Sequence, residues 1–286
     1  MSQLHAENPT RSVVRLCDLF SISRSWFYAR QEQPTQAERD AETVARITAL
    51  ATRYPCYGYR RITPGLRTAE AVVNHKRVQR ILQAYNLRIH SKPKRIATTV
   101  TAPANHVSPN RIRVRQATDR DQIWVADTTA FVIGRRPGFL ACVLDAWSRR
   151  CLGWAVELHN TTNLTLAALR QAITLRHPAP GLIHHSDQGS PYTSFAYQEE
   201  LHAIGAVSSM SAKARPTENA IAESFFKTIK TEVINRNEYQ TLEEAVASLQ
   251  TYIDGHYNLD RIHSSLGKRA PIQFEAAAHA VDPTRL

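Results

Sequence analysis

The stretch Trp124-Val-Ala-Asp127-Thr-Thr-Ala-Phe-Val-Ile133 is rich in strand-forming residues and carries a single carboxylate. β-Branched and aromatic side chains favour strands. Successive side chains of a strand point to opposite faces, so Asp127 should face away from Ala126 and Thr128. A charge on a mostly apolar strand is costly unless a partner or a metal ion compensates it. The stretch therefore predicts a core strand that carries a functional carboxylate.

Further strands and helices follow this first strand in a regular order. The later strands are predicted at residues 139–144, 152–158, 182–186 and 206–210, and helices at 163–176, 193–204 and 217–233. Strand-strand-strand-helix-strand-helix-strand-helix is the order of a ribonuclease-H-like core, although the alternation alone allows other α/β folds. We therefore expect an α/β core with a mixed five-stranded sheet.

Two more carboxylates occupy places that suit a catalytic site. Asp187, in His184-His-Ser-Asp187-Gln-Gly-Ser190, ends a short apolar strand at a turn, where open sheets usually present functional side chains. Glu223, in Asn219-Ala-Ile-Ala-Glu223-Ser-Phe-Phe-Lys227, shares one helix face with Lys227 and Lys230. Most acids of the chain are ordinary surface charges, but Mg²⁺ prefers oxygen ligands, and paired ions stabilise both reacting oxygens of a phosphodiester displacement. Asp127, Asp187 and Glu223 are therefore the candidate catalytic and metal-binding residues.

The charge distribution indicates a polyanionic partner. The formal net charge is +11, and residues 71–118 contain no Asp or Glu while they carry ten of the 36 Lys and Arg. Such an excess is typical of nucleic-acid binding, although simple solvation explains any single arginine equally well. The candidate DNA contacts are Arg60, Arg61, Lys76, Arg77, Arg80, Lys92, Lys94, Arg95, Arg113, Arg115, Lys227 and Lys230.

Composition and periodicity divide the chain into five segments. Residues 1–35 form a short helical segment, either helix-turn-helix-like or a simple hairpin, and residues 36–90 a helical, helix-turn-helix-like DNA-binding domain. Residues 91–118 suit a basic linker because they are poor in large apolar side chains. Residues 119–240 form the catalytic core, and residues 241–286 a further helix followed by a polar tail. Small helical DNA-binding modules thus precede the core.

Several classes of protein are disfavoured by what the sequence lacks. The four cysteines, Cys17, Cys56, Cys142 and Cys151, form no CxxC pair, which argues against a zinc finger or ribbon. There is no signal-peptide pattern and no apolar run of about 18 or more residues. We therefore expect a cytoplasmic or nucleoid-associated protein that has no membrane partner.

The motifs, taken in order, resemble those of the DDE transposases of bacterial insertion sequences. More narrowly, the chain is similar to the second-frame (OrfB-type) product of the insertion-sequence-three family, which is related to retroviral integrases. The motifs are Tyr57-Gly-Tyr-Arg-Arg-Ile62, Trp124-Val-Ala-Asp127-Thr-Thr, His185-Ser-Asp187-Gln-Gly-Ser190 with Tyr192-Thr-Ser194, Asn219-Ala-Ile-Ala-Glu223-Ser-Phe-Phe-Lys227-Thr-Ile-Lys230, and a closing set of Tyr257-Asn258, Arg261, His263, Leu266-Gly267 and Pro271. Pro191 and the segment 214–218 depart from the family pattern.

This resemblance implies an integrase-type catalytic core, with two Mg²⁺ ions held by Asp127, Asp187 and Glu223 and with Mn²⁺ as a substitute. The implied reaction is cleavage at the ends of the insertion sequence, followed by strand transfer from the freed 3′-hydroxyl. The implied partners are double-stranded DNA, as terminal inverted repeats and target, and a second copy of the chain in at least a dimer on DNA. An upstream-frame product is a further implied partner or fusion.

Other roles remain open at the level of the sequence. Asn219 and His185 adjoin the candidate acids and are interpreted as supporting residues, while Arg261 and His263 either touch DNA or fasten the tail to the core. A tyrosine recombinase would use Tyr252 or Tyr257 as its nucleophile but would leave the three acids unexplained. A catalytically inactive DNA-binding regulator derived from a transposase is the alternative function. A retroviral-type integrase would need an N-terminal zinc module, which the cysteine spacing does not provide.

Overall fold

The structure is a computed structural model of the 286-residue chain, and it describes residues 12–31, 34–67, 72–87, 107–113, 115–212 and 216–281. The chain divides into two compact units, Met1–Ile89 and His90–Leu286. Most of the predicted basic linker lies outside the described residues, as do Lys92, Lys94 and Arg95. Within the described residues, no helix is both long enough and apolar enough to cross a membrane.

The first unit is helical. Its helices are α1 (Val13–Leu19), α2 (Arg24–Gln31), α3 (Gln36–Arg53), α4 (Tyr59–Gly65) and α5 (His75–Ala84). A capping box between Thr35 and Glu38 starts α3, and the Asn74 side chain accepts a hydrogen bond from the Lys76 amide at the start of α5. Helices α3, α4 and α5 share one apolar core, which is built from Ile47, Tyr57, Ile62, Leu66, Val78, Ile81 and Leu82.

The second unit is built on a mixed five-stranded sheet, as the sequence predicted. The strands are β1 (Ile123–Ile133), β2 (Arg136–Asp145), β3 (Cys151–Glu157), β4 (Ile183–Ser186) and β5 (Val207–Met210). Their order in the sheet is β3-β2-β1-β4-β5. Strands β1, β2 and β3 pair antiparallel, whereas β4 is parallel to both β1 and β5. The strand that carries Asp127 is therefore the central one of a ribonuclease-H-like sheet.

Helices cover both faces of this sheet. They are α6 (Thr162–Arg176), α7 (Phe195–Ala203), α8 (Ala220–Glu232), α9 (Leu242–Tyr252) and α10 (Pro271–Val281). Trp124 and Ala126 of β1 belong to the core on the α6 and α7 side, whereas Ile123 and Val125 belong to the core with α8 and α9. This alternation puts Asp127 on the α8 side of β1, opposite to Ala126, as the strand period predicted.

The prediction of a polar tail after residue 257 is wrong. The tail contains α10, and both Arg261 and Glu275 are buried. Glu275 binds Arg150 and Arg176, and Arg261 donates to Glu232 at 2.7 and 2.9 Å. These charged side chains can be buried because each is paired with an opposite charge from a residue far away in the sequence. The pattern of polar and apolar residues within the tail does not reveal such partners. Arg261 thus fastens the tail to the core.

Two predicted helices also differ from the observed ones. The predicted helix 217–233 begins as a 3₁₀ turn, Pro216–Asn219, before α8. The helix predicted after residue 240 is observed as α9, which ends at Tyr252. The chain then continues as a single π-helical turn, Ile253–Tyr257. Helix ends commonly tighten or loosen in this way.

A glycine of β3 allows α6 to lie directly against the sheet. A Cβ atom on Gly153 would lie 2.1 Å from the carbonyl oxygen of Ala168 and 2.8 Å from the amide nitrogen of Ala172. Both atoms belong to the α6 backbone, so no side-chain rotation relieves the clash.

We predict that Gly153→Ala lowers the free energy of unfolding by about 1–3 kcal/mol, because the helix must move away from the sheet. Thermal and urea denaturation measure the loss. Gly255→Ala is the matched control, since its added Cβ would meet no atom within 4 Å. Equal stability of the two variants would contradict the close approach of β3 and α6.

Candidate active site

Strand pairing brings two of the candidate carboxylates to the same edge of the sheet. In the parallel pair of β1 and β4, Ile123 lies opposite Ile183 and Val125 lies opposite His185. Continuation of this register by two residues sets Asp127 beside Asp187, which directly follows β4. Neighbouring strands lie about 4.8 Å apart, so the two carboxylates start from adjacent backbone positions.

The third carboxylate comes from the helix that covers this part of the sheet. Phe225 and Ile229 of α8 belong to the same apolar core as Val125 of β1. Glu223 lies in the first turn of α8 and is exposed. Its charge and that of Asp187 both raise the pKa of Asp127, so the three carboxylates lie within electrostatic reach of one another.

Asp127 is the most perturbed of the three acids. Burial, followed by the charge of Asp187, raises its pKa to about 7. The Thr128 amide, which donates to Asp127 Oδ1 at 2.8 Å, and the charge of Lys230 oppose this rise. Desolvation also raises the pKa of Asp187, against a 2.9 Å hydrogen bond from the Gly189 amide. The site therefore concentrates negative charge that its own hydrogen bonds do not offset.

Two hydrogen bonds tie the neighbours of Asp127 to the segments that carry the other acids. Asn219 Nδ2 donates to the Ala126 carbonyl at 3.1 Å, directly before α8 and Glu223. The hydroxyls of Thr128 and Tyr192 are 2.9 Å apart, and Tyr192 lies in the loop that follows Asp187. The sequence interpretation gave Tyr192 no role, although its place in the motif after Asp187 was a usable signal. Its hydroxyl and the Asn219 amide clamp the three acidic segments together.

The two histidines before Asp187 support the sheet. His185 Nδ1 lies 2.9 Å from Ser209 Oγ of β5, and His184 Nε2 lies 3.0 Å from Tyr197 Oη of α7. Burial lowers the pKa of His184 to about 3 and that of His185 to about 4, so both rings are neutral. They hold β4 to its neighbours in the fold.

Family comparisons agree with this architecture. Integrase core domain models match residues 117–216 and 205–271, and an HTH-like domain model matches residues 37–95. The transposase of insertion sequence element IS904 from Lactococcus lactis is 36% identical over 77% of this chain and 87% of that protein. Transposase InsF of insertion sequence IS3A from Escherichia coli is 31% identical over 92% of this chain and 94% of that protein.

The chain belongs to the IS3-family insertion-sequence transposases. The resemblance found in its motifs is thus confirmed, and the family places the transposase among the DNA-binding polynucleotidyl transferases. The solved HTLV-2 integrase catalytic core domain aligns over 55% of this chain and 98% of its own, at 20% identity. The TM-score of this alignment is 0.43.

Among the predicted basic DNA contacts in the transposase's catalytic unit, Lys230 acts on Asp127. Lys230 is half-buried, and its charge acts on Asp127, whereas Lys227, one turn earlier in α8, is exposed. Arg113 and Arg115 are exposed in the segment before β1. That segment is held by the Arg111 amide, which donates to Ser209 Oγ at 2.9 Å.

The basic side chains of the first unit fall into two groups. Arg60 and Lys76 are exposed, and the Arg61 guanidinium lies over the Tyr57 ring at 5.3 Å. Arg77 and Arg80 instead form ion pairs with the buried Asp40, at 2.7 and 2.5 Å. These two predicted DNA contacts therefore have a structural partner within their own unit.

In the described part of the transposase, no group of three or more Asp, Glu, His or Cys side chains is arranged so that it could hold a metal ion.

The raised pKa of Asp127 has a consequence for the stability of the protein. The folded state binds this proton more tightly than the unfolded chain does, so the contribution of Asp127 to stability falls as the pH rises from about 4 through 7.

We predict that Asp127→Asn raises the Tm of the metal-free protein above pH 7, because it removes a desolvated charge that faces two others. The gain should shrink as the pH is lowered toward 5, where the wild-type carboxyl is protonated. Differential scanning calorimetry in EDTA measures it, with Glu199→Gln on the exposed side of α7 as the control. A lower Tm for Asp127→Asn at pH 8 would refute the electrostatic description.

Proposed function

We propose that this transposase cleaves DNA at the ends of its insertion sequence and joins the freed 3′-hydroxyls to target DNA, through Asp127, Asp187 and Glu223. The single observation that supports this most strongly is the parallel β1–β4 register, which sets Asp127 beside Asp187 under the first turn of α8. Three carboxylates from separate elements share one electrostatic environment there. Such crowding of like charges is a feature of functional sites.

The residues at this site fit a divalent metal ion. All three candidate ligands are carboxylates, the donors that Mg²⁺ prefers, and the nearby histidines are turned toward Ser209 and Tyr197. Burial and then repulsion from Asp187 and Glu223 raise the pKa of Asp127, and a bound cation would relieve this repulsion. We assign Mg²⁺ to the site, as two ions, with Mn²⁺ as a substitute. When bound, the metal supplies Lewis-acid stabilisation of the attacking and leaving oxygens.

The remaining residues position the acids and the DNA. The Asn219 amide and the Tyr192 hydroxyl hold the three acidic segments in register through Ala126 and Thr128. Lys227 and Lys230, on the same helix as Glu223, contact phosphates of the bound strand. Water and the DNA 3′-hydroxyl are the nucleophiles in this scheme, so the reaction needs no covalent intermediate with the protein.

The geometry disfavours a tyrosine recombinase. The Tyr252 hydroxyl donates to Glu232 at 2.7 Å, and the Tyr257 hydroxyl donates to the Arg149 carbonyl at 3.2 Å. Burial raises the pKa of both phenols. A nucleophilic tyrosine needs an accessible hydroxyl that ionises readily, and these two have neither property.

The proposed partners follow from the reaction. The HTH-like domain and the integrase core imply DNA binding, and we assign the DNA to terminal inverted repeats and to the target. Because two ends must be joined to one target, the working form is at least a dimer on DNA. An upstream-frame product, as partner or fusion, and a location on the bacterial nucleoid complete the proposal.

We predict that Glu223→Gln lowers the rate of cleavage at the repeat boundary by about 10³-fold, since it removes one metal ligand and its charge. The assay incubates DNA that carries the flanking inverted repeats with protein and Mg²⁺, and maps nicks and joined strands. Glu243→Gln is the matched control, because Glu243 is also an exposed glutamate in the first turn of a helix.

Equal cleavage by the two glutamine variants would refute the role of Glu223. Repeat-specific binding by the wild type without metal-dependent cleavage would favour the alternative function, a catalytically inactive regulator derived from a transposase. In that case the fusion with the upstream-frame product is the next protein to assay.

We predict that Tyr192→Phe lowers the rate of strand transfer by about tenfold and raises the Mg²⁺ concentration needed for half-maximal rate. The loss of one buried hydrogen bond, about 1 kcal/mol, loosens the loop that carries Asp187. Tyr239→Phe is the control, because it removes a similar buried hydroxyl pair, 3.1 Å from Ser248 Oγ. The clamp is disproved if both variants need the same Mg²⁺ concentration as the wild type.

A further inference from the structure

Two arginines of helix α5 in the first unit, Arg77 and Arg80, form ion pairs with Asp40 of helix α3. Arg77 Nε donates to Asp40 Oδ1 at 2.7 Å, and another nitrogen of the same guanidinium donates to the Arg39 carbonyl at 2.6 Å. Arg80 donates to Asp40 Oδ2 at 2.5 Å, and Gln36 donates to the same oxygen at 3.0 Å. Asp40 is only 3% exposed. Removal of either arginine would leave a buried carboxylate with a lost partner, so both are committed to holding α5 against α3.

The outward side of α5 includes Arg80, which is exposed one turn after Lys76, and further side chains that do not bind Asp40. Val78, Ile81 and Leu82 face the core. Lys76, Gln79 and Gln83 lie at i, i+3 and i+7, hence on one outward stripe, and all three are exposed. Beside Arg80, whose guanidinium is paired with Asp40, two amides and one ammonium therefore make up the accessible stripe of the helix.

The start of α4 lies beside the start of α5. The Tyr59 ring stacks on the His75 ring, with centroids 6.4 Å apart and planes 29° apart. Arg60 is exposed, and its guanidinium lies 5.7 Å from the Tyr59 ring. Neither α4 nor α5 contains an Asp or Glu. The outward stripe of α5 is thus flanked by positive charge and free of acidic side chains, which is complementary to duplex DNA.

We propose that Gln79 and Gln83 read base edges in the DNA major groove, while Lys76 and Arg60 bind the flanking phosphates. A glutamine amide donates to and accepts from adenine N7 and N6 in a bidentate contact, whereas a lysine on phosphate carries no sequence information. One helical turn separates the two glutamines, a distance of about 5–6 Å that reaches neighbouring base pairs. The assignment rests on the proposed binding of the terminal repeats and names the residues that select them.

The same assignment removes Arg77 and Arg80 from the readout. Their guanidiniums bind Asp40 and so hold α5 against α3. A cluster of basic residues on a DNA-binding helix thus divides into two roles, and the uncharged side chains of the helix carry the specificity.

The test measures equilibrium binding of the full-length transposase to a terminal-repeat duplex and to a scrambled duplex of equal composition. Gln79→Ala and Gln83→Ala should each reduce the ratio of the two affinities by about tenfold, because a bidentate base contact is worth about 1–3 kcal/mol. Binding to the scrambled duplex and its dependence on salt should not change. Lys76→Ala should weaken binding to both duplexes and lower the salt slope by about one. Gln250→Ala, an exposed glutamine of α9, is the control.

Repeat duplexes with 7-deazaadenine at single positions identify the contacted base. At that base, wild-type affinity should fall while the affinity of the matching glutamine variant stays constant, because the contact is already absent. The proposal is overturned if the wild type does not prefer the repeat, or if the glutamine variants keep the wild-type ratio. It is also overturned if Arg80→Ala abolishes the preference without lowering the Tm. Failure of cleavage with preference intact would refute the catalytic proposal alone.

Discussion

The parallel pairing of β1 with β4 is the constraint on which the catalytic unit depends. It sets Asp127 beside Asp187, two negative charges in a partly buried place, and the pKa of Asp127 records the electrostatic cost. The surrounding structure keeps the arrangement in place. Helices cover both faces of the sheet. On either side of Asp127, the Asn219 side chain donates to the Ala126 carbonyl, and the Tyr192 hydroxyl is hydrogen-bonded to the Thr128 hydroxyl. These contacts hold the segments that carry the three carboxylates in fixed relative positions.

Buried ion pairs connect the last part of the chain to this unit. Arg261 holds Glu232 at the end of α8, the helix that begins near Glu223, and Glu275 of α10 holds Arg150 and Arg176. Each pair joins segments far apart in sequence. Breaking such a pair on one side leaves an uncompensated buried charge, so these contacts resist local loosening of α8 and α10. They show that the positive charge of this protein is not all available to DNA.

The first unit follows the same rule on a smaller scale. Two of the Lys and Arg side chains of α5, Arg77 and Arg80, form ion pairs with Asp40. Lys76, Gln79 and Gln83 are exposed on the outward stripe. A net charge of +11 correctly indicates a polyanionic partner. It does not say which cations meet that partner, because an arginine that neutralises a buried acid and one that meets a phosphate contribute equally to the sum.

The amino-acid sequence by itself determined the order of strands and helices, the strand that carries Asp127 on the face opposite to Ala126, and the family. These features depend on local periodicity and on motifs, which neighbouring residues encode. Only the tertiary structure decided that the tail contains a helix with a buried glutamate, that Arg77 and Arg80 bind Asp40, and that Tyr192 bonds to Thr128. The physical reason is that each of these interactions joins residues many positions apart, such as Arg77 and Asp40 at a separation of 37. A charged side chain can be buried when the fold places an oppositely charged side chain beside it. The polarity of its neighbours in the sequence does not show whether such a partner exists.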